Sequence, residues 1–243
     1  MTDDAANKPL AGKLALVTGA SQGIGAATAI ELANRGAHVI LTARDDRKLE
    51  QVEDQIHKTG GSATIAPMDL AEPDSIARLA TAISGRWDAL DVLVINAAVF
   101  VPHTPVQDLD PKAFSHALTV NVLATQNLIA AFHPMLKRAE RGTVIGLTSS
   151  VGSSPRAYWA GYGATKAAFD SLLGSYALEN ANTSSVRTAI VNPGGTRTDM
   201  RARAFPGEDP ATVQPPEVVA QFIANMLGKD FPNGGIFSVK DAK

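Results

Sequence analysis

The sequence contains no cysteine, which excludes disulfides, cysteine-ligated zinc and thiol catalysis together. Neither charge is in excess: 22 Lys and Arg stand against 24 Asp and Glu, for a net charge of −2. Without a basic surplus or a basic run, no nucleic-acid partner is expected. No apolar run approaches the length of a membrane span, so no membrane partner is expected either. His38, His57, His103, His116 and His133 show no metal-ligand spacing and no H-E-x-x-H, which leaves no metal site in view. The absence of G-x-S-x-G removes the nucleophile elbow of serine hydrolases.

What is present is a chain of 243 residues, 45% apolar and 19% charged, which can build a core and is too apolar for a disordered chain. Its opening segment is polar and acidic and lacks the basic start and apolar centre of an export signal. We expect a flexible lead-in over residues 1–12 and a cytoplasmic location. The glycosylation-like triplet Asn182-Thr183-Ser184 is then a chance match.

Short apolar runs alternate with longer amphipathic stretches. Strands are predicted at 14–18, 38–43, 63–67, 91–96, 142–149, 186–192 and 236–239. Helices are predicted at 23–35, 45–59, 73–86, 111–138, 160–181 and 216–227, with Pro73 in the first turn of the third. Residues 194–215 read as a looser loop. The alternation runs without a break in composition, and the strands are near-continuous apolar runs, as when both faces are covered. This predicts an α/β fold: a single Rossmann-type, doubly wound parallel sheet of about seven strands with helices on both faces, forming one domain over residues 13–243.

The first strand runs into Thr18-Gly19-Ala20-Ser21-Gln22-Gly23-Ile24-Gly25. Glycines in such a turn let the backbone approach a pyrophosphate, and the helix that follows aims its free N–H groups at the phosphates. The end of the second strand then discriminates between cofactors. An acid there accepts hydrogen bonds from the 2′-hydroxyl of NAD, whereas the 2′-phosphate of NADP repels an acid and attracts Arg. The sequence reads Leu41-Thr42-Ala43-Arg44-Asp45, which favours NADP(H) over NAD(H) through Arg44. The alternative is that Asp45 reaches the hydroxyl while Arg44 points to solvent.

Tyr162 and Lys166 stand four apart near the start of a predicted helix and so share a face. A nearby ammonium favours the phenolate, which would move Tyr162 toward a working acid–base range. Ser149, thirteen residues before Tyr162, ends the fifth strand, where a hydroxyl can bond a carbonyl oxygen as charge develops on it.

With these motifs in this order, the chain resembles the short-chain dehydrogenase/reductase family in its compact single-domain form. The glycine turn, Asn96-Ala97-Ala98, Asn121, Ser149, Tyr162, Lys166 and Pro193-Gly194 carry the resemblance, which spans residues 13–200. It implies hydride transfer between NADP(H) and a small-molecule carbonyl or alcohol, with Tyr162 as acid in reduction and base in oxidation. Lys166 would lower the Tyr162 pKa and bond the nicotinamide ribose. Ser149 would orient the substrate oxygen; it is preferred to Ser150 because it sits three residues before Gly152. Asn121 would hold a water behind Lys166. Gly19, Ser21, Gln22, Gly23, Ile24 and Gly25 would form the pyrophosphate loop. Asp69 and Leu70 would meet the adenine, Asn96 and Ala97 the ribose side, and Pro193, Gly194 and Thr198 the nicotinamide end.

The helices at 111–138 and 160–181 resemble the family's dimer-forming pair, which implies a homodimer or homotetramer. The chain departs from the family pattern at Ala98, where glycine is usual, and at its C-terminus, which lacks the Asp-Gly-Gly ending. The loop at about 195–215 would cover the substrate. A 3-oxoacyl thioester, a steroid, a sugar alcohol or a small ketone all stay open, as does a non-catalytic NADP(H)-binding redox sensor. Arg201 and Arg203 could meet an anionic substrate or be solvated. Phe100, Val101, Tyr158 and Trp159 could line its pocket or simply pack.

Overall fold

The structure, a computed structural model, describes residues 8–242. Its strands are β1 (Leu14–Thr18), β2 (His38–Thr42), β3 (Ser62–Ile65), β4 (Val92–Ile95), β5 (Thr143–Leu147), β6 (Arg187–Asn192) and β7 (Gly235–Ser238). They form one seven-stranded sheet in the order β3-β2-β1-β4-β5-β6-β7, every neighbouring pair parallel. This is the predicted doubly wound sheet. β1, β4 and β5 are buried along their whole length, because helices cover both faces.

Side-chain alternation divides the core in two. Ala15 and Val17 of β1 face a layer with Leu32, Leu49, Ile56, Val219 and Ile223. These come from α1 (Gly23–Asn34), α2 (Asp46–Lys58) and, for the last two, the later helix Pro216–Leu227. Leu14 and Leu16 face the opposite layer with Ile76, Leu128, Phe132, Phe169 and Leu173. The first belongs to α3 (Ser75–Ser84), the others to the long helices Ala124–Arg138 and Ala160–Asn180. β1 and β4 are neighbours although two strands and three helices lie between them in sequence, so the connections leave in opposite directions and open a crevice at their C-terminal ends.

Local chemistry sets the boundaries. The Asp45 carboxylate caps α2 by accepting from the Lys48 N–H at 3.1 Å. Gly36, at φ +100°, and Gly60, at φ +75°, follow α1 and α2 in a backbone region that suits glycine. Asp110 caps α4 (Pro111–Leu118) through the Lys112 and Ala113 N–H groups, with Pro111 at its first position.

The structure corrects several expectations. Residues 1–7 of the expected lead-in lie outside the described residues, but residues 8–12 form a turn that seats Leu10 in the core, its N–H bonded to the Arg35 carbonyl at 2.9 Å. Pro73 precedes α3, which begins after Asp74 at φ +61°. The expected single helix at 111–138 is α4, a π-helical turn (Thr119–Leu123) and α5 (Ala124–Arg138). A short α6 (Ser150–Ser153) precedes α7 (Ala160–Asn180). The expected loop at 194–215 contains α8 (Asp199–Ala204) and a 3-10 turn (Pro210–Thr212), and is followed by α9 (Pro216–Leu227). These short elements lack the long apolar periodicity that announces a helix.

Candidate active site

A cleft of about 1790 Å³ lies over the C-terminal ends of the strands. It is lined by Gly19, Ser21, Gln22, Gly23, Ile24, Arg44, Asp69, Leu70, Asn96, Ala97, Ser149, Tyr162, Lys166, Pro193, Gly194 and Thr198. Thus the structure brings the sequence-selected residues to one place, except Gly25 and Asn121, which lie behind the wall. A Cβ at Gly25 would strike the Gly19 carbonyl and the Asn96 amide, so only glycine lets α1 start so close to β1. Gly19 and Gly23 take φ of +66° and +57°.

Asn96 lines the cleft and bonds the glycine turn. Its side-chain amide donates to the carbonyls of Thr18 (2.9 Å) and Gly19 (3.3 Å). The Asn96 and Ala97 N–H groups donate to the Thr18 hydroxyl, at 3.0 and 3.1 Å, which in turn donates to the Val94 carbonyl at 3.2 Å. Thr18 and Asn96 therefore pin the glycine turn to β4 across the switch point. Asp69 likewise accepts from the Ala71 N–H at 2.9 Å and shapes its own turn. Thr198 caps α8 by accepting from the Arg201 N–H at 3.2 Å, and its methyl lies 3.1 Å from where a Gly23 Cβ would be.

At the end of β2, Asp45 and Arg44 are both exposed and line the cleft, and Asp45 Oδ1 is used in the cap of α2. Lys48, in the first turn of α2, donates to Gln22 Oε1 at 2.9 Å and lines the same cleft. The sequence argument overlooked Lys48; its signal was the capping register, which turns the residue three after Asp45 back over the glycine turn.

At the other end, α7 carries Tyr162 and Lys166, both buried. Lys166 Nζ donates to the Leu147 carbonyl at 2.6 Å and stands 5.8 Å from the Tyr162 ring centre and 4.5 Å from that of Phe169. Burial pulls Lys166 down to about 8, while Asp170, one turn on, holds it up. The expected lowering of Tyr162 is not what this geometry gives: burial pushes the phenol up, and the Asp170 carboxylate adds to the rise. Asp170 itself is pushed up by burial, against the pull of the Thr148 hydroxyl and the Lys166 ammonium. The i, i+4 spacing of Lys166 and Asp170 made that carboxylate findable from sequence.

Ser149 lines the cleft and its side chain makes no cap bond to α6. Ser150 Oγ is occupied, accepting from Arg156 at 3.0 Å, which favours Ser149 for a substrate oxygen. Asn121 sits in the π turn, a feature that recurs where a helix presents a special group. Its Oδ1 accepts from the Val99 N–H at 2.8 Å, and its Nδ2 donates to the Val99 carbonyl and the Thr165 hydroxyl, both at 3.0 Å. Both amide N–H donors are thus used to join the loop after β4 to α7. Arg201 is paired with Glu208, 2.6 Å from Nε, and its guanidinium lies 3.6 Å over the Phe205 ring. Among the described residues no cluster suits a metal ion, and no helix is long and apolar enough to cross a membrane.

A doubly wound sheet with a glycine turn at its switch point, facing a serine, a buried tyrosine and a buried lysine, defines a dinucleotide-binding oxidoreductase. The family profile described as short chain dehydrogenase matches residues 13–209. The chain belongs to this family. It is 35% identical over 221 residues to the oxidoreductase YciK of Escherichia coli (strain K12), covering 90% of this chain and 87% of that one. A short chain dehydrogenase from Shigella flexneri 2a, solved with NADP, superimposes with a TM-score of 0.92 at 34% identity, over 96% of this chain and 99% of that one. One from Escherichia coli CFT073, solved with NADPH, gives 0.91 at 34% identity, over 96% and 98%.

Proposed function

We propose that this chain is an NADP(H)-dependent oxidoreductase that interconverts a carbonyl and an alcohol, with Tyr162 as acid and base. The observation that carries the proposal is the meeting of Ser149, Tyr162 and Lys166 in the cleft that begins at the glycine turn. The turn fits a pyrophosphate, since Gly19 and Gly23 take positive φ beside the N-terminus of α1, and Gly25, where a Cβ would strike the Gly19 carbonyl, lets that helix start close to β1. The capped Asp45 and the cleft-facing Arg44 and Lys48 support the 2′-phosphate form. The solved relatives that hold NADP and NADPH point the same way.

Bound NADPH would supply the hydride. Arg44 and Lys48 would hold its 2′-phosphate, the turn from Gly19 to Gly25 its pyrophosphate, Asp69 and Leu70 its adenine, and Pro193, Gly194 and Thr198 its nicotinamide end. In reduction, Tyr162 donates its phenolic proton to the carbonyl oxygen, and Ser149 donates a hydrogen bond to the same oxygen. A phenol pushed up by burial stays protonated until that oxygen calls for the proton. Lys166 then faces the phenolate left behind. Asn121 positions the loop after β4 against α7. A homodimer or homotetramer in the cytoplasm completes the proposal, with α5 and α7 at the interface.

The test follows cofactor absorbance with NADPH and NADH against aldehydes, ketones and 3-oxoacyl thioesters. Turnover with NADPH is expected. Tyr162→Phe should lower kcat by about 10²–10⁴-fold, with the affinity for NADPH, followed by its fluorescence, unchanged. An unaltered kcat overturns the role of Tyr162. Tight NADPH binding without turnover of any carbonyl replaces the enzyme by a redox sensor.

A further inference from the structure

Aromatic residues are scarce in this chain: eight Phe, two Trp and three Tyr in 243 residues. Four of them nevertheless converge at the cleft: Phe100 after β4, Trp159 and Tyr162 at the start of α7, and Phe205 at the end of α8. Ring centres lie 5.9 Å apart for Phe100 and Tyr162, 5.8 Å for Phe100 and Trp159, and 5.7 Å for Trp159 and Phe205. His103 adds a fifth ring, 4.2 Å from Trp159.

The two sheet cores do not account for this arrangement; Phe100 and Trp159 pack against a small separate cluster of Val101, Ala117, Val151 and Tyr162 beside the cleft. Phe100, Trp159 and Phe205 belong to neither sheet core, and each is only partly covered while facing the cleft. Three separate segments are also held in place to present them. Phe205 lies under the Arg201 guanidinium, which Glu208 clamps. Tyr158 adopts a left-handed φ of +70°, strained for a non-glycine residue. Its carbonyl accepts from the Thr104 N–H at 3.2 Å, which ties the turn before Trp159 to the loop that carries Phe100 and His103.

We infer that the carbonyl substrate bears a flat aromatic ring system, which packs against Trp159, Phe100 and Phe205 while its oxygen lies between Ser149 and Tyr162. This rests on the oxidoreductase reading above and narrows its substrate to aryl aldehydes and ketones, with NADPH as reductant. The wall rings stand at interplanar angles of 67° for Phe100 against Trp159 and 37° for Trp159 against Phe205, while the Arg201 guanidinium covers one face of Phe205, so a planar guest meets rings of mixed orientation. In the reaction the carbonyl carbon gains a hydride, the C=O π pair moves to oxygen, and that oxygen takes the Tyr162 proton. The products are an aryl carbinol and NADP⁺, and Tyr162 recovers a proton from solvent.

The test compares naphthaldehyde with cyclohexanecarbaldehyde. An aliphatic aldehyde is intrinsically the more electrophilic, so a preference for the aryl partner reports binding. The expected kcat/KM ratio is about tenfold in favour of naphthaldehyde. Trp159→Leu should bring the ratio toward one and Trp159→Phe should keep it. Titration calorimetry of naphthalenemethanol into the NADPH complex, a pair with no hydride acceptor, gives a readout free of turnover: binding is expected, weakened about tenfold by Trp159→Leu. Equal or better turnover of the alicyclic aldehyde overturns this inference and leaves the oxidoreductase reading standing. No turnover of naphthaldehyde by protein that reduces another carbonyl of the panel overturns this inference alone, and no turnover of any carbonyl, by protein that binds NADPH, overturns the oxidoreductase reading with it.

Discussion

Lys166 shows how a functional residue is held against the interest of the fold. Its ammonium is buried, with only the Leu147 carbonyl as a direct partner and Asp170 acting from one turn away. A pKa lowered from 10.5 to about 8 means that burial disfavours the charged form, by on the order of 3 kcal/mol at neutral pH. The sign follows directly. Between pH 8 and 10.5 the unfolded chain binds more protons at this site than the folded one, so stability rises with pH across that window. Lys166→Met should therefore stabilise the cofactor-free protein at pH 7 by about 1–3 kcal/mol, part of the gain being offset by the lost hydrogen bond, and should abolish turnover. Urea unfolding at a series of pH values checks both; a variant less stable than wild type at pH 7 refutes the argument. The cofactor cations follow a different logic, since Arg44 and Lys48 are exposed. Arg44→Ala or Lys48→Ala should each raise the Kd for NADPH about tenfold or more, the worth of a charge-assisted hydrogen bond. The Kd for NADH should be unchanged, and fluorescence titration with both cofactors decides. At this scale the sequence exposed Tyr162, Lys166, Ser149 and Arg44, because each stands at a fixed offset in a motif. Lys48 and Asp170 carried weaker signals, a capping register and an i, i+4 spacing to Lys166, and Phe205, placed by the packing of α8, carried none.

Among the elements, α7 does the positioning. It brings Tyr162 and Lys166 to the end of β5 because the strand is flat at Gly146. A Cβ there would lie 2.9 Å from the Phe169 ring and closer still to Leu173, both on α7. Gly146→Ala should then lift the helix, costing about 1–3 kcal/mol by overpacking, and should lower kcat as well, since Lys166 is bonded to the neighbouring Leu147. Gly174→Ala on the same helix, where a Cβ meets nothing within 4 Å, should instead stabilise by about 0.5–1 kcal/mol with kcat intact. Urea midpoints of the pair separate close approach from mere helix propensity. Long elements were legible: the strands at β1 and β2 and the helices α1, α2, α7 and α9 fall within a residue or two of the spans expected from periodicity and glycine stops. The π turn at Thr119–Leu123 was not, because its residues continue an ordinary helical pattern. It is tertiary bonding, from Asn121 to Val99 and Thr165, that accompanies the change of winding.

In the whole molecule, strand and helix alternation predicted a doubly wound sheet but not the order of its strands. That order depends on which way each crossover turns, a choice made by packing across the sheet and invisible in local pattern. The same packing leaves a surface that local pattern does not reveal. Leu178 of α7 is 78% exposed and Leu123, at the entry to α5, is 58% exposed, among the few large apolar side chains that face solvent. His133 of α5 meets the Tyr176 hydroxyl of α7 at 2.8 Å, so the two helices present a jointly held face. Apolar side chains on such a face are what an isologous interface between identical chains covers, since each copy brings the same patch. Light scattering should thus find at least twice the 25.4 kDa protomer mass. Leu178→Lys would set like charges into the covered face and should return the particle to protomer mass, while the cleft, which Leu178 does not line, still binds NADPH. A wild-type protein at protomer mass, or a variant whose mass does not change, would assign these leucines to solvent and leave the cleft to work within a single chain.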